Sequence, residues 1–316
     1  MKLENNFELS AGYFGKLPKF ADFVKYNAGG EEILDIDRWL QEGMVAAKNE
    51  FKSLLKENYS KSLQFNFFYP FTSTSNNLTG LISPGYDKSE REFPFLIFYI
   101  MNKNFYSHIP AYLIPLVNQK NLVYFKELCE YSKMSNDLLS INDEMKKIVY
   151  KLYPSDALLD YQKFLSNTSQ EIFWERTFGN FTDPAKYALI NNLDKLRTFS
   201  NISSGIKISF NLENEHTEFE LAFFIQLILT MANKISYLPS LFWSAEIDTI
   251  NLYIFFNRPS AQQFVDIIFQ KDSEERIIQA EKFEDEKELM NSVHSSYKKL
   301  LEKNNLTLSD FLRAIQ

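Results

Sequence analysis

Three short apolar segments lie close together in the N-terminal half of the chain and constrain the fold more than any other feature. They are residues 65–69, 78–82 and 95–101, and each has the length of a strand. The last segment is apolar throughout, which indicates a central strand covered on both faces. Because the connections between the three are short, we expect them to pair as a meander of antiparallel strands.

Helical patterns precede and follow these strands. Apolar residues recur at three- and four-residue steps over residues 31–57, which predicts an amphipathic helix carrying Trp39 on its buried face. Further helical segments are expected at 110–131, 136–151 and 155–200.

Strand patterns resume in the last third of the chain. Residues 206–212 alternate between apolar and polar, and residues 241–246 and 250–256 indicate a hairpin. Ser260 and Gln263 have the spacing of a capping box and predict the start of a short helix. The sequence therefore predicts an α/β protein of the α+β type, in which a mixed, largely antiparallel sheet is flanked by helices.

The 316 residues contain no repeat and no Gly/Ser-rich linker that would divide them. We place a domain boundary near residue 150. It separates an N-terminal α/β domain, residues 1–150, from a helical and mixed region, residues 151–316, that ends in a charged helical tail. The alternative is one compact unit.

Composition and charge exclude several classes of protein. The net charge is −7 and no basic block occurs, which argues against a nucleic-acid partner or an anionic membrane surface. The longest apolar stretch, residues 221–232, is too short to span a bilayer, so we expect no membrane insertion. The single Cys129 and the polar N-terminus, which lacks the apolar region of a signal peptide, favour a cytoplasmic protein.

The stretch AGYFGKLPKFADFV, residues 11–24, contains two glycines and a lysine and invites comparison with a phosphate-binding loop. Such a loop needs four residues between its glycines and Ser or Thr after its lysine. Here two residues separate Gly12 from Gly15, and Leu17-Pro18 follow Lys16. The stretch is better interpreted as a short strand that enters a turn fixed by proline. With no zinc, calcium, nucleophile or dinucleotide signature elsewhere, we expect no metal, no cofactor and no catalytic residue.

Charged residues in aromatic surroundings remain on two loops. Lys16 and Asp22 lie in the first motif, and Asp87, Lys88 and Arg91 lie in the polar loop 83–92. One interpretation is a binding or catalytic cluster, because charged loop residues beside a central strand are placed for function. The favoured interpretation is structural: Asp22 or Asp87 pairs with Arg91 and pins the two loops together.

Taken together, these motifs resemble the TagF (ImpM) family of type VI secretion-associated proteins. The first motif resembles that family's Gly-aromatic-aromatic-Gly-Lys-Leu-Pro opening, and the loop 83–92 fits its Pro-Ser-x-Asp-Arg-x-Gly-Arg-x-Phe-Pro-Leu pattern. The loop departs from that pattern at Gly85, Lys88 and Glu90, where Ser, Arg and Gly are usual. Further matching segments are Asp22-Phe23-Val24, Trp39-Leu40-Gln41 and Ser240-Leu241-Phe242-Trp243.

The resemblance implies a regulator without enzymatic activity. Proteins of this family act as post-translational repressors of type VI secretion and engage a forkhead-associated scaffold protein of the machine. The residues that we expect to form the partner-binding surface or the loop framework are Tyr13, Lys16, Asp22, Tyr86, Asp87, Arg91 and Trp243.

Two alternatives stay open at the level of the sequence. The chain could be a structural or assembly subunit of the secretion machine, or an enzyme that uses Asp22, Asp87 and Arg91 around a pocket. The oligomeric state does not follow from the sequence.

Overall fold

A computed structural model describes residues 10–147, 152–197, 203–211, 217–245, 248–271, 273 and 275–316. The strands in these ranges are β1 (Ser10–Gly15), β2 (Val24–Tyr26), β3 (Phe65–Pro70), β4 (Asn76–Ser83), β5 (Phe95–Asn102), β6 (Gly205–Asn211), β7 (Ser240–Ala245), β8 (Thr249–Phe255) and β9 (Ile277–Gln279). They form one sheet in the order β2-β1-β5-β4-β3-β7-β8-β6-β9. Among the described pairs, β6 and β9 run parallel and all others are antiparallel. The mixed, largely antiparallel sheet is thereby confirmed, as is the β3-β4-β5 meander.

Helices flank this sheet, as the sequence predicts. The α-helices are α1 (Glu31–Phe51), α2 (Leu55–Ser60), α3 (Lys103–Tyr106), α4 (Ile114–Met134), α5 (Leu138–Lys146), α6 (Pro154–Asn167), α7 (Gln170–Phe178), α8 (Ala185–Leu196), α9 (Thr217–Met231), α10 (Ala261–Ile268), α11 (Glu286–Ser292), α12 (Ser295–Leu301) and α13 (Leu308–Ile315). Within the ranges described, none of the helices combines the length and the apolar composition that crossing a membrane would require.

Side chains of the central strand β5 point alternately into two apolar cores. Phe95 and Ile97 belong to a core with α4 and α9, whereas Leu96 and Phe98 belong to a core with α1 and α10. All four are buried. The alternation follows from the two-residue period of a strand, and it explains why a sequence that is apolar throughout suits this position.

Trp39 fixes α1 against α10 and the sheet. Its ring centroid lies 5.2 Å from that of Phe264 in α10 and 5.5 Å from that of Phe242 in β7. The close approach of the two helices requires glycine at position 43, where a Cβ would lie 2.2 Å from the Phe264 ring. Trp39 is therefore a core aromatic residue, with 1% of its surface exposed.

The strands of the two halves of the chain meet where β3 pairs with β7. Asn66, Phe67 and Phe68 lie opposite Trp243, Phe242 and Leu241. The elements on either side of residue 150 therefore share one sheet, and the domain boundary placed there stays a prediction.

The helix expected over residues 31–57 is wrong in its extent. α1 ends at Phe51 because Lys52 leaves the helical conformation, with φ of 50° and ψ of −119°. A short 3-10 turn and α2 follow.

The helical segment expected over 155–200 is divided into three helices. Ser169 caps α7 by accepting a hydrogen bond from the N–H of Ile172, and Gly179, with φ of 82°, ends that helix. The charged tail is divided in the same way, because α11 ends before Val293 and α12 begins after His294. Residues 148–151, 198–200, 212 and 246, where other expected elements end, lie outside the described residues.

Candidate functional site

The first motif forms β1 and the turn that follows it. β1 pairs with β5, and Gly15 at its end has φ of 132°. A Cβ at Gly15 would lie 2.1 Å from the carbonyl oxygen of Pro94, so only glycine allows the backbone of β1 to approach the backbone at Pro94. The N–H of Phe20 donates to the Leu17 carbonyl and closes the turn. Lys16 therefore emerges beside the loop that precedes β5, which is residues 83–92 and is called the motif loop below.

Asp87 is the centre around which the motif loop folds. Its side chain is fully buried, and Oδ1 accepts hydrogen bonds from the N–H groups of Ser89 (2.9 Å) and Arg91 (3.1 Å). Oδ2 accepts from Nε of Arg91 (2.8 Å) and lies 3.0 Å from Nζ of Lys16. Burial alone would raise the pKa of this carboxyl group. The bonds from the Arg91 N–H, the Lys16 ammonium and the Ser89 N–H outweigh burial and lower the pKa to about 2.

Lys16 and Arg91 connect this loop to the first motif. Nζ of Lys16 also donates to the Arg91 carbonyl and lies 5.4 Å from the centre of the Phe23 ring. Nη2 of Arg91 donates to the Ala21 carbonyl at 2.8 Å and lies 3.8 Å from Oδ1 of Asp22. The ion pair that the structural interpretation predicts is present with Asp87, whereas Asp22, which is 94% exposed, lies at the edge of pairing distance.

The other predicted residues occupy different surroundings. Tyr86 lies on the motif loop and is 48% exposed. Tyr13 is buried in β1, where its hydroxyl donates to Oδ1 of Asn142, and burial, with a smaller contribution from Tyr26, raises its pKa to about 12. Trp243 is buried in β7, away from the cluster. Tyr13 and Trp243 thus belong to a buried apolar core and expose almost no surface in this structure.

Sequence reasoning missed a groove of about 1070 Å³ beside the motif loop. Its walls are α2 with residues 62–64, the motif loop with Pro18 and Lys19, and the C-terminal end of α4. The Gly85 N–H donates to the Tyr59 hydroxyl at 3.2 Å and holds the motif loop against α2. Apart from Lys19, the lysines and the methionine that line the groove lie on α2 and α4, where such residues are also typical of a solvated helix face. The sequence therefore does not predict this groove.

The enzymatic alternative assigns Asp87 to an acid or base role. In the structure both oxygens of this carboxylate are engaged by backbone N–H groups and cations, and the side chain is closed to solvent. Asp22, the second carboxylate of that hypothesis, projects into solvent. The contacts of Asp87 hold the motif loop against the first motif.

Comparison with known proteins agrees with the motifs. Residues 12–128 match the model of the TagF N-terminal domain, described as Type VI secretion system-associated. The match runs from β1 through most of α4 and confirms the resemblance over that part of the chain, which supports a role related to type VI secretion. The crystal structure of PA0076 from Pseudomonas aeruginosa PAO1 is similar over 84% of this chain and 96% of that chain, with 15% identity and a TM-score of 0.49. No curated protein matches this chain.

Proposed function

We propose that the protein is a non-enzymatic cytoplasmic regulator of a type VI secretion system. It lowers secretion after translation by binding a forkhead-associated scaffold protein of that system. The match of residues 12–128 to a type VI secretion-associated domain supports a role in type VI secretion. The geometry of the motif loop supports a binding role within it.

The observation that carries the proposal is the locked motif loop. Asp87 is enclosed by four donors, whereas Arg91 and Tyr86, on the same loop, are 59% and 48% exposed. Asp22 and Phe23 are exposed beside them. Aromatic and arginine side chains held on a rigid loop lose little entropy when a partner binds, which makes them effective anchors. The charges of Arg91 and Asp22 would set the orientation and the association rate.

The experiment measures scaffold binding by calorimetry, secretion after overproduction and the melting temperature on the same variants. We expect Tyr86→Ala and Asp22→Ala to weaken binding while the melting temperature stays unchanged, because both side chains are exposed. Tyr153→Ala is the matched control, since Tyr153 is 50% exposed and lies at the start of α6. Arg91→Ala removes a pair with Asp87, so a fall in its melting temperature would indicate a structural role, and a loss of binding at constant melting temperature would indicate a contact.

Two outcomes would contradict the proposal. Unchanged binding in both well-folded variants would remove these loops from the interface. Stable co-purification with the assembled machine in cells that lack the scaffold protein would instead favour an assembly subunit.

A further inference from the structure

The groove beside the motif loop is basic, although the protein as a whole is acidic. The lysines that line it are Lys19, Lys56, Lys126 and Lys133, together with the carboxylates of Glu90 and Glu92. The lining thus carries an excess of positive charge, whereas the chain has a net charge of −7. The charge of the lining therefore favours a negatively charged ligand at this groove.

The four lysines differ in how far they are neutralised. Lys56 pairs with Glu90, and Lys133 pairs with Glu130 at 3.0 Å. Lys19 and Lys126 are exposed, and within the described part of the chain neither forms a salt bridge. Lys126 acts on Glu130 only at longer range, as a minor cause of that group's lowered pKa. Two walls of the groove therefore each present an ammonium group to a ligand.

Apolar side chains accompany these charges. Tyr86 is 48% exposed and Met134 is 76% exposed, and both line the groove over a floor that includes the buried Leu81. A flexible thioether and an aromatic ring can adapt to an inserted side chain. The volume of about 1070 Å³ lies just above the usual range for small-molecule pockets and leaves room for several residues of a peptide.

From these features we infer that the groove binds an acidic segment of a protein partner that carries an apolar anchor residue. Carboxylates of the segment contact Lys19 and Lys126, and the anchor lies between Tyr86 and Met134. The inference rests on the proposed function only in taking the occupant to be a protein. Its chemistry follows from charge complementarity and from the apolar lining.

Glu90 competes with such a segment for Lys56. Its backbone has φ of 60°, a left-handed conformation that favours glycine. Both side chains of the Lys56–Glu90 pair are about two-thirds exposed, at 66% and 67%, so an incoming carboxylate can replace Glu90. Neutralising Glu90 should therefore strengthen the binding of an acidic ligand, a gain that a misfolded variant would not produce.

The test uses the full-length protein and fluorescence anisotropy with a labelled short peptide rich in Asp and Glu around one Phe and one Leu. A peptide of the same shape, with Asn and Gln in place of Asp and Glu, is the comparison. We expect the acidic peptide to bind about tenfold more tightly than the amide peptide. The double variant Lys19→Ser, Lys126→Ser should bind the acidic peptide about tenfold more weakly at an unchanged melting temperature.

Two matched controls lie outside the groove lining. Lys61→Ser changes a lysine next to α2 that pairs with Glu57, and it should leave peptide binding unchanged. The test variant Glu90→Gln changes a residue of the lining and should tighten the binding of the acidic peptide about threefold. Its control, Glu57→Gln, neutralises a carboxylate of similar exposure, 62%, in the Lys61–Glu57 pair and should not tighten binding.

Equal binding of the two peptides, or unchanged binding in the double lysine variant, would overturn the inference. So would displacement of the peptide by phosphatidylserine vesicles or by single-stranded DNA, since either would assign the groove to another kind of partner. If peptide binding behaves as expected while the scaffold protein does not bind at all, the proposed function fails and the groove stands. If the scaffold protein binds but the peptide does not, the inference about the groove fails and the proposed function stands.

Discussion

Two aspartates with fully buried side chains, one in each half of the chain, are paired in different ways. Asp87 in the motif loop shares its oxygens among two cations and two backbone N–H groups. Asp266 in α10 is bound in bidentate fashion by Arg276, with both nitrogen–oxygen distances at 2.8 Å. The first arrangement leaves Arg91 59% exposed, whereas Arg276 is only 30% exposed.

The two ion pairs differ in what they connect and in how far their arginines are exposed. Arg276 lies in the segment before β9, and its carbonyl also accepts a hydrogen bond from Nε2 of Gln263, so the pair closes the C-terminal region on itself. Around Asp87 the cations outnumber the buried carboxylate, and one of them faces solvent. In both places the buried carboxylate supports the local fold by pairing with an arginine. In the motif loop, that arginine is also largely exposed to solvent.

The largest effects should come from the cores beneath these two regions. Trp39→Ala removes the packing against α10. Phe98→Ala removes the packing against β1, where the ring centroids of Phe98 and Phe14 are 6.2 Å apart. We expect each substitution to lower the free energy of unfolding by about 3–5 kcal/mol, measured by denaturant titration. Val45→Ala, at a side chain that is 60% exposed, is the control. Losses near zero for both core variants would show that the two regions do not depend on this packing.

Replacing the two aspartates tests the comparison directly. Asp87→Asn leaves the Lys16 ammonium, whose side chain is 10% exposed, without its counter-ion, whereas after Asp266→Asn the more exposed Arg276 can reach water. We expect Asp87→Asn to lower the melting temperature by about 5–10 °C, and Asp266→Asn to lower it by less. The reverse order in calorimetry would mean that the closed pair matters more.

The acid dependence of stability should identify Asp87. Its pKa is lowered from 3.8 to about 2 in the folded protein, so its ionised form stabilises the fold above pH 4. That contribution is lost as the pH falls from about 4 to about 2. We expect the difference in unfolding free energy between the wild-type protein and Asp87→Asn to shrink across this window in urea titrations. A difference that is independent of pH would contradict the assignment.

The smallest effect concerns the exposed edge of the motif loop. Glu90 has a positive φ, so Glu90→Gly relieves backbone strain while it removes an exposed ion pair. We expect the melting temperature to hold or to rise slightly in differential scanning fluorimetry. Glu57→Gly, within α2, should lower it, because glycine is unfavourable inside a helix. A clear fall for Glu90→Gly would show that the exposed pair supports the loop.

Much of the fold follows from local sequence patterns. The meander over β3, β4 and β5 follows from its apolar segments, and the capping box of Ser260 and Gln263 is present as the spacing predicts. The sequence does not predict the end of α1, because Lys52 adopts a positive φ without the glycine or proline that often marks a helix end.

The candidate site was predictable in part for a similar reason. Lys16 and Arg91 meet because β1 and β5 are neighbours and their motifs lie at the strand ends. Asp266 and Arg276 belong to no periodic pattern, and the groove depends on α4 meeting α2 in space. No local spacing in the sequence encodes such contacts.

The pairing of β3 with β7 has a consequence for how the chain can be divided. Strands β1 to β5 lie within residues 12–128 apart from the first two residues of β1, but β3 is not an edge strand in the complete sheet. A fragment that stopped after this match would leave β3 without its β7 partner along Asn66, Phe67 and Phe68. An open, apolar strand of this kind recruits other chains. We therefore expect a fragment that ends after this match to aggregate more readily than the whole chain.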